Sequence, residues 1–209
     1  HQWVLTDIHD AGDTQLCAGL AVDLGTTRVV LRLMDLATGR ILAESAFDNP
    51  QETIGPDVLS RIHFIEKADG LRHLNDLIIN GLNAAIVDLC ASQNMQPACI
   101  YALAVAGNTT MTHLFMGLNP RWIIREPYIP VVNNPGVITA EALGLQVNPR
   151  ARLLIFPNIG SYFGGDLIAG VLFSEIYQSK QTCVLVDVGT NAEVVLGNEN
   201  WLIACAGAA

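Results

Sequence analysis

What this sequence has little of narrows its function first. Only 15% of its 209 residues are charged, and the basic ones are a minority: 11 Lys and Arg stand against 20 Asp and Glu, for a net charge of -9. No basic stripe is present. That argues against a nucleic acid partner, because clustered Lys and Arg grip the phosphate backbone. The five cysteines, Cys17, Cys90, Cys99, Cys183 and Cys205, are odd in number and show no C-x-x-C spacing. This argues against both a local metal knuckle and a disulfide framework. Scattered thiols of this kind point to a reducing, cytoplasmic setting. His63, His73 and His113 share no metal-ligand spacing and are expected to be surface or hydrogen-bonded histidines. The longest apolar stretch, 153–173, is broken by Pro157, several glycines and Asp166. It predicts strand, loop and buried helix, with no membrane span. The opening residues, His1-Gln-Trp-Val-Leu-Thr-Asp7, have neither the basic start nor the apolar run of a secretory leader.

What the sequence does have is apolar material: 51% of residues are hydrophobic, enough for a sizeable core. Residues 1–18 are mostly polar and aperiodic and predict a linker remnant. Short apolar runs at 20–23, 29–34 and 41–47, separated by Gly-Thr-Thr and Thr38-Gly39 turns, predict an antiparallel meander. Residues 48–70 show no period and are expected to be irregular. Leu71, Leu74, Ile78, Leu82, Ala85, Ile86 and Leu89 then recur at helical spacing and predict an amphipathic helix of about six turns. Residues 100–106 form a continuous apolar run, expected to be a strand buried on both faces. A helix is expected from Thr109 to Phe115, a short one at 139–143, and a strand at 153–156. Gly164-Gly165-Asp166 opens a further helix, with Asp166 suited to cap it or fill its first turn. A new meander starts near 182. The expected order is β-β-β-α-β-α-β-α followed by β-β-β.

The second meander echoes the first. Aligning Asp23 with Asp187 matches Val22 with Val186, Gly25 with Gly189, Thr26 with Thr190 and Val30 with Val194. The repeated unit is a lobe, so residues 19–180 are expected to form one lobe and 181–209 the truncated start of a second. The chain does not begin with Met, which also suggests a fragment. On that expectation the second lobe is only begun, and the 209-residue piece alone is expected to be poorly active or inactive.

Both repeats carry an Asp-x-Gly-Thr turn, Asp23-Leu-Gly-Thr-Thr27 and Asp187-Val-Gly-Thr-Asn191. The glycine lets the backbone bend and approach a ligand closely. The turn N–H groups and the Thr26, Thr27 and Thr190 hydroxyls can donate to phosphate oxygens. Asp23 and Asp187 at the strand ends can hold a hydrated Mg²⁺, which takes one or two carboxylates and keeps several waters. One such turn is a common hairpin; two, separated by a full α/β lobe, predict a nucleotide cleft gripped from both sides. Asp166 is the third acid, either a base for an attacking water or hydroxyl, or a helix cap. Gly107 and Asn108, with Thr109 and Thr110, either present donors to the cleft or cap a helix.

Paired Asp-x-Gly-Thr hairpins resemble the acetate and sugar kinase, Hsp70 and actin superfamily. The runs Gly19-Leu-Ala-Val-Asp-Leu-Gly-Thr-Thr27, Asp57-Val-Leu-Ser-Arg-Ile62, Gly107-Asn-Thr-Thr-Met-Thr-His-Leu-Phe115, Glu126-Pro-Tyr-Ile-Pro130 and Ser161-Tyr-Phe-Gly-Gly-Asp166 are more specific. They resemble the reductive activators of corrinoid proteins over nearly the whole chain from residue 19. That resemblance implies an actin-like, ribonuclease H-like α/β fold and ATP with Mg²⁺ as ligands. It implies Asp23, Asp166 and Asp187 as catalytic or metal-holding groups. Gly25, Thr26, Thr27, Gly107, Asn108, Gly164, Gly165, Gly189, Thr190 and Asn191 would be the nucleotide-binding set. It further implies a homodimer that couples ATP to an electron transfer taking cobalamin on a partner corrinoid protein from Co(II) to Co(I). The electron would come from a [2Fe-2S] ferredoxin-like domain, for which this chain has no C-x4-C-x2-C run. Competing readings are a small-molecule kinase using Asp166 as base, an actin-like assembly protein, and an activator of 2-acyl-CoA dehydratases.

Overall fold

The computed structural model describes residue 8, residues 16–189 and residues 191–208, with only the backbone described at 191 and 208. The expected linker over 1–18 therefore falls almost wholly outside the described residues, and the first strand already begins at Ala18. Strands β1 (Ala18–Leu24), β2 (Arg28–Asp35) and β3 (Ile41–Asp48) form the expected antiparallel meander. Alternation along β2 turns Val29, Leu31 and Leu33 to the core, and all three are fully buried.

Residues 48–70 are not irregular. A 3₁₀ turn at Pro50–Thr53 is followed by helix α1 (Val58–Phe64). Asp57 starts α1, its carboxylate accepting from the Ser60 N–H at 2.8 Å and from the Ser60 hydroxyl at 2.9 Å. Helix α2 (Gly70–Ala91) follows as expected. By length and composition α2 could cross a bilayer, yet half of its most apolar window is buried inside the protein. Leu74, Ile78, Leu82, Ile86 and Leu89 pack in the core cluster with β1 and β2.

Strand β4 (Ile100–Gly107) leads into α3 (Thr109–Phe115). The α3 C-terminus is held by Asn75 of α2, whose Nδ2 donates to the Leu114 and Phe115 carbonyls at 2.9 and 2.8 Å. A three-residue strand absent from the sequence reading, β5 (Val137–Thr139), precedes a 3₁₀ turn at Ala140–Leu143, then β6 (Arg152–Ile155) and α4 (Gly165–Ser174). Without α1 and β5, the expected element order is two elements short. The sheet runs β3-β2-β1-β4-β6-β5, with β1, β4 and β6 parallel. Strands β7 (Cys183–Val188), β8 (Asn191–Asn198) and β9 (Trp201–Ala208) form a separate antiparallel sheet. Val195 of that sheet is buried, while Val184, Val186, Val188 and Ile203 are exposed.

His113 is one of the expected hydrogen-bonded histidines, and it is fully buried. Its Nε2 accepts from the Val131 N–H at 3.0 Å, so the ring proton sits on Nδ1, 2.7 Å from the Thr109 carbonyl. Burial pulls its pKa below the ordinary 6.5, partly opposed by the Thr109 bond. A lowered folded pKa means the unfolded chain binds the proton more readily. The histidine's contribution is thus complete above about pH 6.5 and is lost as the pH falls. His113→Ala is expected to cost about 3 kcal/mol, from a cavity plus a stranded Val131 N–H. Thermal melts check this: the variant should also lose part of the wild type's destabilisation between pH 7 and 5.

Candidate functional site

The parallel register decides where the site lies. Leu24 at the end of β1 pairs with Gly107 at the end of β4, so the turn at 25–27 sits beside the start of α3. β6 is the next parallel strand and delivers the segment 156–165 to the same edge. Ligands of α/β sheets bind outside the carboxyl ends of such strands. The β7–β8 turn faces this edge, and a cleft of about 300 Å³ lies between them. Asp23, Gly25, Thr26, Thr27, Asn108, Asp166, Asp187 and Gly189 line it. Of the expected residues, these eight are brought together.

The first turn is tight because Gly25 has no side chain: a Cβ there would lie 2.2 Å from the Arg28 carbonyl oxygen. Thr26 is buried, and its hydroxyl accepts from Asn108 Nδ2 at 2.9 Å. Asn108 Oδ1 accepts from the Met111 N–H at 2.9 Å, so the same side chain caps α3 and ties it to the turn. The two readings of Asn108, cap and cleft residue, are both realised.

Asp166 lies in the first turn of α4, while the cap position is Gly164. Its Oδ1 accepts from the Leu167 N–H at 2.8 Å. Burial pushes its pKa up to about 6; the Leu167 bond opposes this, and Asp187 and Asp23 add to it. Burial, then Asp187, raises Asp23 as well. Glu193, also on the cleft wall, is raised by burial and by Asp166 and Asp187. Four carboxylates thus share one cleft that Arg28 alone among its lining residues offsets with a positive charge. Such a site favours a cation.

Glu193 escaped the sequence reading for a definite reason. The internal alignment assumes hairpins of equal length, but three residues separate β1 from β2 and two separate β7 from β8. Asp23 therefore pairs with Val30, whereas Asp187 pairs with Glu193, and the match of Val30 to Val194 slips by one. The shorter turn sets two acids directly opposite each other on one face. Arg28 and Val188 are the other lining residues not expected. Gly107, Gly164 and Gly165 do not line the cleft; they stand where backbones meet, Gly107 against Leu24, Gly164 against Asn108 and Gly165 against Phe156. Thr190 lies outside the described residues, as does the Asn191 side chain. A second cavity of about 290 Å³ shares Asn108 and Glu193 with the first and is walled by Leu59, Thr109, Ile123 and Tyr162, among others.

Comparison with known proteins bears on this geometry. A family described as the RACo middle region matches residues 18–179, and one described as the C-terminal domain of RACo, the ASKHA domain, matches 181–209. The corrinoid activation enzyme RamQ of Eubacterium limosum is 31% identical over 181 residues, covering 86% of this chain and 30% of RamQ. The solved structure of a reductive activator for a corrinoid, iron–sulfur protein is 40% identical, with a TM-score of 0.92, covering 95% of this chain and 32% of that one. The chain thus spans about a third of the length of both. At that similarity the fold is shared, and the actin-like α/β class expected from the paired turns is borne out.

Proposed function

The chain belongs to the RACo family, and from that premise we propose that it is the nucleotide-handling part of a reductive activator of a corrinoid protein. The observation that carries this is the convergence of Asp23, Asp166 and Asp187 on one cleft between two glycine turns. ATP binds with its phosphates between the turn at 25–27 and Gly189. The Thr26 and Thr27 hydroxyls and turn N–H groups are its donors.

The donor set fits Mg²⁺. Among the described residues no three His, Cys, Asp or Glu side chains close into a shell of their own. That suits an ion which keeps waters and shares its ligation with phosphate oxygens. Asp23 and Asp187 would hold it, and when bound it supplies charge neutralisation at the phosphates. Asp166, its carboxyl raised to about 6, orients the attacking water and takes its proton. Asn108 holds Thr26, and so the first turn, in register with α3.

In the whole protein, hydrolysis is coupled to passage of one low-potential electron from a [2Fe-2S] domain outside this chain to cobalamin on a corrinoid partner. Co(II) is reduced to Co(I). The working unit is a cytoplasmic homodimer. The names of RamQ and of the solved activator support this partner class.

The test is an anaerobic assay of the full-length protein with a Co(II) corrinoid protein, ATP and a low-potential reductant. The expected result is ATP-dependent appearance of the Co(I) absorption band and ADP production stimulated by the Co(II) partner. ADP production stimulated by a sugar or small acid, with no Co(I), would overturn it in favour of a kinase.

A further inference from the structure

The first turn of the cleft is pinned from behind. Its three carbonyls all accept from two buried side chains or their backbone. Asn49 Nδ2 donates to Gly25 O at 2.8 Å, Arg61 Nη2 to Thr26 O at 2.7 Å, and the Asn49 N–H to Thr27 O at 2.7 Å. Asn49 is 1% exposed and Arg61 0%. A trans peptide is planar, with its N–H directed opposite its C=O. The Gly25 carbonyl and the Thr26 N–H belong to one peptide, and the Thr26 carbonyl and Thr27 N–H to the next. Drawing both carbonyls inward turns both N–H groups outward, on the side of the cleft that Gly25, Thr26 and Thr27 line. Neither N–H has a partner among the described residues.

Arg61 is an unusual choice for a mere filler. Its other partners are Gly55 O at 2.9 Å, Gln51 Oε1 at 3.1 Å and Met111 Sδ at 3.1 Å, all neutral like Thr26 O. Among the described residues no carboxylate bonds it; Glu52 and Asp57 act only through space. Burial lowers its pKa to about 10, which leaves it charged at neutral pH. A buried charge without a paired counterion is costly, and apolar side chains of similar volume fill such space at less cost. The charge polarises the peptide it bonds, so the N–H at the far end of that peptide becomes a stronger donor.

We propose that Arg61, with Asn49, is a positioning residue for the nucleotide: it aims the Thr26 and Thr27 N–H groups at a phosphate, whose negative charge complements the buried guanidinium. This rests on the nucleotide reading given above. The anion answers the charge through one peptide, and Arg61 itself never touches the ligand.

The experiment measures MgATP and AMP affinity of the full-length protein and of three variants, with melting curves taken without nucleotide. Arg61→Met removes the charge at similar length, Arg61→Lys restores it without the fork, and Met111→Leu alters another partner of the same guanidinium. Folded R61M is expected to bind MgATP about 10–100-fold more weakly and to lose less for AMP. R61K should recover part of the loss, and M111L should stay within about twofold of wild type. A wild type that binds no ATP defeats the nucleotide reading itself. A wild type that binds, beside a folded R61M within twofold of it or equally weakened for ATP and AMP, overturns the positioning role. Should R61M fail to fold, the wild type labelled with ¹⁵N-arginine decides. The Arg61 guanidinium signals are expected to shift along the MgATP binding curve and not with adenosine. Signals unmoved at saturating MgATP would overturn the role.

Discussion

Asp166→Asn is expected to slow ATP hydrolysis by the full-length protein at least about a hundredfold while making the nucleotide-free protein more stable at pH 7. The first half follows from the assigned chemistry, since a positioned general base contributes about 10²–10⁴-fold. The second half follows from burial. Asp166 is raised to about 6, chiefly by desolvation, with Asp187 and Asp23 adding to it. A carboxyl whose folded pKa lies above its unfolded value contributes most when protonated. That contribution is complete below the unfolded value near 4 and is lost as the pH rises through about 6. At pH 7 the ionised group therefore costs the fold about 3 kcal/mol. Asparagine stays neutral and keeps an oxygen for the Leu167 N–H. The melting-temperature gap between variant and wild type should be largest at pH 7 and close toward pH 4. In the wild type, kcat/KM should fall below about pH 6 as the base of the nucleotide-free protein is protonated. A variant that hydrolyses ATP within tenfold of wild type removes Asp166 as base; a lower midpoint at pH 7 removes the burial argument.

The parts of this molecule that were legible in the sequence are those encoded locally. The helical period of 71–89, the alternation of the meanders and the two Asp-x-Gly-Thr turns each need only a few neighbouring residues. The missing helix α1 had a local signal: Asp57 stands three residues before Ser60, a capping pattern, but the helix is seven residues long and offers no second period to read. β5, at three residues, is defined only by its pairing with β6. Glu193 needed the length of a turn to be known to one residue. Arg61 sits 35 positions from the carbonyl it holds, and the Asp57–Ile62 run that contains it carries no local sign of that contact. Its burial comes from the packing of α1 with α2 and α3 over the turn, which no short window contains. The cleft-lining side of the site was thus readable, while the layer behind it was visible only as motif residues, Gly164 and the 57–62 run among them, without their supporting role.

That supporting layer is where the second large effect is expected, at Gly164. Its φ of -78° and ψ of 175° are open to any residue, so backbone strain plays no part. Space is the constraint. A Cβ on Gly164 would lie 2.4 Å from Asn108 Cα, 2.5 Å from Asp166 Oδ1 and 2.7 Å from the Gly107 carbonyl oxygen. Two of those atoms are backbone and cannot swing aside, so Gly164→Ala must push the start of α4 away from the start of α3. The move separates Asp166 on α4 from Asn108, which holds Thr26 at 2.9 Å. Both sides of the reacting centre shift by a fraction of an ångström to an ångström, a displacement that costs on the order of a hundredfold in rate. Overpacking should also lower stability by about 1–3 kcal/mol. Gly39→Ala is the contrast. Gly39 has a φ of +72° with nothing within 4 Å of its Cβ position, and it lies in the β2–β3 turn. It is expected to cost about 1–2 kcal/mol of stability from left-handed backbone and to leave hydrolysis unchanged. Melting curves with kcat on the two variants separate the effects: similar destabilisation, and loss of activity at Gly164 alone. Should Gly164→Ala hydrolyse ATP within threefold of wild type, the close meeting of α3 and α4 does not set the geometry of the site.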